Sequence, residues 1–132
     1  LKKPKQDISI LWKNIIENGV IITITLVLSL ISGNNPLSDT QRIFIRILDK
    51  LTNTPIFGAR VLICEYDGPV LSPDKVILNT TTDIQGIVET TDLPLEDKII
   101  FIRIRKGSPN PYIDTVETYI TLSTTGLLDV EL

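Results

Sequence analysis

The chain has no histidine and no methionine, one cysteine (Cys64) and one alanine (Ala59) in 132 residues. Without histidine there is no Ser-His-Asp triad, and the usual general base near neutral pH and most zinc sites are lost with it. One cysteine excludes an intrachain disulfide. Its position in the apolar run 61–64 reads as a small buried core residue rather than a reactive thiol. Neither a glycine-rich phosphate loop nor a metal-spaced cysteine cluster occurs, so no cofactor and no metal are expected. Aromatic residues are few, one Trp, three Tyr and three Phe. Tyr112, in a proline-bearing loop, is the candidate for an exposed sugar-stacking ring, with core or loop packing the stronger reading. A net charge of −3 and a pI near 4.9 give no electrostatic reason to expect nucleic acid. Lys2, Lys3 and Lys5 read as solvation of a terminal tail. Asp67, Asp74, Asp83, Asp92, Glu96 and Asp97 fall in expected turns, where turn chemistry outweighs paired-acid catalysis or a calcium site. These absences argue against an enzyme.

What is abundant points to strands. There are 22 Ile, 15 Thr and 8 Val, so about a third of the chain is β-branched, poor for helices and good for sheets. The most informative stretch is Val20–Ile31, V-I-I-T-I-T-L-V-L-S-L-I. Ile22, Ile24, Leu26, Leu28 and Leu30 share one side of a period-2 pattern, and Thr23, Thr25, Val27 and Ser29 share the other. Strand side chains alternate between faces, so this is a strand with one wholly apolar face. A membrane segment is the rival reading, because 18–38 carries no charge and follows a basic start. The continuous apolar run is nevertheless shorter than the roughly 20 residues a spanning helix needs, and β-branched alternation suits a strand. Membrane contact is not expected.

Residues 7–17 admit two readings. Asp7 can cap a short helix with Ile8, Leu11, Trp12 and Ile15 on one face. Alternatively Ile8, Ile10 and Trp12 lie along a strand that turns at Asn18-Gly19 into Val20, and Asn-Gly between apolar runs favours this hairpin. Residues 34–40 read as a linker rich in Asn, Pro and Ser. Beyond it come strands expected at 41–49, 57–66, 75–82, 87–90, 98–106, 113–122 and 127–132, separated by Gly, Pro and Asn turns. The expectation is an all-β chain: a seven-stranded antiparallel sandwich over 41–132 with an extra N-terminal β-strand arm over 1–33. Arg103 and Arg105, with Arg42 and Arg46, read by default as a solvated outer face and alternatively as a basic stripe on one sheet face.

The run Ile45-Arg-Ile-Leu-Asp-Lys-Leu-Thr-Asn-Thr-Pro-Ile-Phe-Gly-Ala-Arg-Val61, followed by Thr82-Asp-Ile-Gln-Gly86, resembles a known pattern. It is similar to prealbumin-like modules of the carboxypeptidase regulatory-like kind, in which D-x-x-T-x-x-P-I-x-G-A-x-V ends one strand and opens the next. The resemblance covers roughly 41–132 and implies an Ig-like or prealbumin-like sandwich used as scaffold, spacer or adhesive unit. The physical reasons are visible. Pro55 presets a turn, Gly58 and Ala59 leave room, and Gly86 permits an unusual backbone angle. The Lys–Asn cross-link of related pilin modules is not expected, because no Lys precedes Lys50 in the first strand and the last strand has no Asn.

Arm and sandwich together also look like the subunits of donor-strand filaments, such as pili and archaeal threads. There an apolar N-terminal strand completes the sheet of the next subunit, with backbone hydrogen bonds giving affinity and alternating side chains giving register. Such head-to-tail contacts do not close. The resemblance implies an extracellular or cell-surface structural protein whose partners are other copies of itself. In that case Ile22, Ile24, Leu26, Leu28 and Leu30 are the assembly residues. The alternative is a monomeric surface module with the arm folded back and loops that bind a glycan or protein. A membrane-anchored accessory domain is a third reading. Asn79-Thr80-Thr81 is an N-glycosylation acceptor pattern, which fits an exposed surface.

Overall fold

The computed structural model describes residues 6–31, 40–67, 70–106, 115–123 and 126–129. Ten strands run in chain order: β1 (Gln6–Glu17), β2 (Val20–Ile31), β3 (Thr40–Asp49), β4 (Arg60–Asp67), β5 (Val70–Thr81), β6 (Ile87–Glu89), β7 (Leu93–Pro94), β8 (Lys98–Arg105), β9 (Thr115–Ser123) and β10 (Gly126–Asp129). No described residue is helical, so the hairpin reading of 7–17 holds and the capped-helix reading does not. The strands form two antiparallel sheets. Sheet A has the order β1-β2-β3-β6 with β7 also on β3, and sheet B has the order β10-β9-β8-β4-β5.

The first turn follows from its two residues. Asn18 has φ 53° and Gly19 φ 79°, the doubly left-handed pair that a tight hairpin needs and that Asn-Gly adopts at low cost. The register then runs unbroken from Glu17 opposite Val20 to Gln6 opposite Ile31. On its other side β2 pairs with β3 from Val20–Asp49 to Ser29–Thr40. Two further bonds hold the tip: the Lys50 N–H donates to Gly19 O at 2.9 Å and Asn18 Nδ2 donates to Thr115 O at 3.0 Å.

Alternation places one side of each strand inside. Ile22, Ile24 and Leu26 of β2, Ile43, Ile45 and Ile47 of β3, Val61 and Ile63 of β4, Ile100, Ile102 and Ile104 of β8 and Ile120 and Leu122 of β9 belong to one buried cluster. Two sheets sharing one apolar core make a sandwich-like fold. β2 and β3 lie directly opposite each other within it, so the β2–β3 ladder crosses the boundary expected between arm and sandwich.

Among the described residues from 40 onward there are eight strands rather than seven. The additional one, β7, is two residues long and lies across from Thr40 and Gln41. It is held by Gln41, whose buried Nε2 donates to Pro94 O at 2.8 Å. Leu93-Pro94 has no periodicity long enough to announce a strand. β5 begins at Val70, five residues earlier than expected, within a segment whose Gly, Pro and Ser content reads as loop. Its pairing with β4 is irregular at Ile63/Cys64 and Cys64/Tyr66.

The motif residues around Pro55 and Gly86 meet in space. The buried Thr82 hydroxyl accepts from the Ala59 N–H at 2.9 Å and donates to Ile56 O at 2.7 Å, while the Thr82 N–H donates to Ala59 O at 2.8 Å. Gly86, at φ 74°, lies against the β3 backbone, where a Cβ would come within 2.5 Å of Ile47 O. Glycine is required there by space and by dihedral alike.

Candidate assembly strand and surface sites

The expected assembly strand is β2. Its apolar side points into the core of its own chain: Ile22, Ile24 and Leu26 are fully buried and Leu28 nearly so. Leu30 pairs with Asp7 through the backbone, and its side chain lies outside the described residues. Burying these four aliphatic side chains is worth roughly 1.5–3 kcal/mol each before ordering costs. With β1 on one side and β3 on the other, β2 has both backbone edges hydrogen-bonded.

The outward side of sheet A is different in character. Ile10, Trp12 and Ile16 of β1 are 63%, 65% and 59% exposed. Cross-strand pairing sets Trp12 beside Thr25 and Phe44, and Asn14 beside Thr23 and Arg46. The Thr23 hydroxyl donates to Asn14 Oδ1 at 2.8 Å. Thr23, Thr25, Val27, Phe44, Arg46 and Ile87 line a shallow hollow of about 390 Å³. Scattered exposed apolar residues need no explanation, whereas these form a group on one strand beside a hollow. The sequence places Ile8, Ile10 and Trp12 along a strand, or Ile8 and Trp12 on a helix face, and shows nothing of the residues beside them. The face is not visible in any one segment because its residues come from four strands, β1, β2, β3 and β6.

The arginines do not form one stripe. Arg42 and Arg46 lie on β3 in sheet A, whereas Arg103 and Arg105 lie on β8 in sheet B. Arg42 is neutralised by Asp92 at 3.0 Å and Glu89 at 3.5 Å. On sheet B the register sets Arg60 of β4 directly opposite Arg105, with Leu62 opposite Arg103 on one side and Asn79 on the other. Arg60, Leu62, Asn79, Arg103 and Arg105 line a recess of about 150 Å³. Arg103 Nε donates to Glu117 at 2.9 Å, and its guanidinium lies 5.4 Å from the Phe101 ring centre. Phe101 and Tyr66 each contact the Tyr119 ring. Asn79, the glycosylation candidate, is exposed on the edge strand β5.

Several acidic residues have structural partners. Asp83 Oδ1 accepts from the N–H groups of Gln85 and Ile87 at 2.8 and 3.0 Å. Glu96 and Glu65 both accept from Lys98 Nζ, at 2.9 and 2.8 Å. Burial works against the Lys98 ammonium, but these two carboxylates more than offset it and its pKa is raised. Asp97 is exposed. Tyr112 and the side chains of Asp67 and Asp74 lie outside the described residues. Cys64 is buried, and desolvation raises its thiol pKa against the weaker lowering effect of Arg103. Among the described residues no group of three or more His, Cys, Asp or Glu side chains is arranged to hold a metal ion, and no helix is long and apolar enough to cross a membrane.

Comparison with models of known families, with curated proteins and with solved structures found no match for this chain.

Proposed function

We propose that the chain is a non-enzymatic module of Ig-like or prealbumin-like arrangement, working at a cell surface or outside the cell. In this reading the N-terminal hairpin completes its own sandwich, and the outer face of sheet A meets a glycan or protein ligand. The observation that carries it is the burial of Ile22, Ile24, Leu26 and Leu28 inside their own chain, while Ile10, Trp12 and Ile16 stay in solvent. In this reading the groove is filled at home and the strand has no need of a neighbour. What remains unsatisfied is the outer face of β1, and an exposed indole beside Thr, Asn and Arg side chains suits an amphipathic ligand.

The second reading is a filament subunit, with the β1–β2 hairpin donated to the next copy. It is favoured by the way the hairpin attaches. The β2–β3 ladder, the buried face and the tip bonds of Asn18 and Gly19 join it to the rest of the fold, and all of these can be reproduced between copies. Exchange would then be head-to-tail and open-ended. Light scattering on a size-exclusion column, with electron microscopy of the same fractions, separates the two. A monomer at every concentration supports the self-contained module. Long uniform fibres, or ladders of exchanged oligomers, overturn it in favour of donation.

A further inference from the structure

We infer that the outer face of sheet B carries a binding site for a tetrahedral oxyanion, a sulfate or phosphate group, held by Arg60 and Arg105 with Arg103 at its side. This site is independent of how the hairpin is shared, because none of its residues belongs to β1 or β2.

Three observations converge. Arg60 and Arg105 are directly opposite each other on neighbouring strands, an arrangement that is destabilising for like charges unless something lies between them. Neither has an acidic partner among the described residues. Apart from Arg46 and Lys50, the other cations among the described residues are partnered. Arg42 has Asp92 and Glu89, Lys98 has Glu65 and Glu96, and Lys106 donates to Phe57 O at 2.8 Å. Arg46 also lacks an acidic partner, but Thr23 and Ile87 face it across the strands, not another cation.

The third guanidinium is already positioned. Glu117 holds Arg103 through Nε and the Phe101 ring lies beneath it, which leaves its terminal nitrogens free to donate. Three arginines against one glutamate leave the recess with a local excess of about two positive charges, which a doubly charged oxyanion would balance. Guanidinium forks match the paired oxygens of sulfate and phosphate, and charge-assisted bonds of this kind are the strong ones. Asn79 adds an amide donor at the wall. At about 150 Å³ the recess holds one such group with some water, at roughly 30 Å³ per water, and not a large ligand.

The test is a titration of the full chain, made in bacteria so that Asn79 is unmodified, followed by ¹⁵N NMR of the arginine Nε–H signals. Sodium sulfate and sodium phosphate are compared with sodium chloride at matched ionic strength, and glucosamine 6-sulfate forms a further arm. Saturable shifts of Arg60 and Arg105 with sulfate or phosphate, absent with chloride, are expected. Tighter binding of the sugar sulfate than of free sulfate would assign the source to a sulfated glycan, and the reverse to the free ion. Arg60→Gln and Arg105→Gln should each weaken binding by about tenfold or more. Arg60→Gln should also melt no lower than the parent in chloride, because a like-charge contact is relieved, while losing the gain in melting temperature that sulfate gives the parent. Non-saturable shifts in all salts, or equal sulfate effects in parent and variants, would overturn the site.

Discussion

At the scale of single residues, short polar contacts fix the joints between strands. Thr82 is the clearest case, because its hydroxyl both accepts from Ala59 and donates to Ile56 in a buried setting. Thr82→Val keeps the shape but leaves that amide and carbonyl unpaired, so it should cost about 1–3 kcal/mol in urea unfolding, with Thr82→Ser recovering part of the loss. Thr90 has a related role: its hydroxyl accepts from the Ile43 N–H at 3.0 Å while its own N–H returns a bond to Ile43 O at 3.0 Å, extending the β3–β6 ladder by a side chain. Lys98 gives a pH dependence of known sign. Its pKa is raised in the folded state, so its stabilisation is complete below the unfolded lysine value of about 10.4 and fades as pH climbs through the folded value. Lys98→Met should therefore lower stability by about 1.5–3 kcal/mol at pH 7, and the gap between variant and parent should close in melts taken at increasingly alkaline pH.

At the scale of elements, β2 is the test of how arm and domain relate. A separable arm would tolerate substitution while 41–132 stayed folded. With Leu26 fully buried in the shared cluster, Leu26→Ala should instead destabilise the whole chain by about 2–5 kcal/mol, seen as one lowered, cooperative transition. Survival of a folded 41–132 core beside a melted hairpin would refute this. The same element shows what was legible in the sequence. The period-2 run Val20–Ile31 and the Asn18-Gly19 turn carry their structure locally, through alternation and a left-handed pair of dihedrals, so strand and turn could be read in advance. Gly86 and Pro55 were legible as turn residues, but not as neighbours: the contact of Gly86 with Ile47 O exists only once β3 and β6 pair. Placing Arg42 with Arg103 failed for a similar reason. Parity along a strand tells which residues share a face, and it carries no information about which sheet the strand joins. Arg60 opposite Arg105 likewise depends on the β4–β8 register, which no local pattern encodes.

At the scale of the whole molecule, the sheet edges are unequal, and the inequality bears on association. Sheet A ends at β6 and β7 in strands of three and two residues, and sheet B ends in the four-residue β10 and in β5, whose pairing is irregular and which contains Pro73. Short, bulged or proline-bearing edges are poor templates for another strand. β1 is the exception, twelve residues long with an unbroken register and no proline. Its only central safeguard is Lys13, opposite the buried Ile24 and so on the inner side, where a charge opposes a flush neighbour. Removing that charge should expose the edge: Lys13→Val is expected to shift the chain toward dimers or larger species on a size-exclusion column while the parent stays monomeric. Trp12, the sole tryptophan and exposed on the same strand, supplies the local readout. Its emission should be open to acrylamide quenching in dilute parent protein. It should become protected and blue-shifted in the variant as concentration rises, if association proceeds through the β1 edge and covers its outer face. Association with the Trp12 signal unchanged would place the contact elsewhere, and a monomeric variant at all concentrations would mean that Lys13 is not what keeps this edge apart.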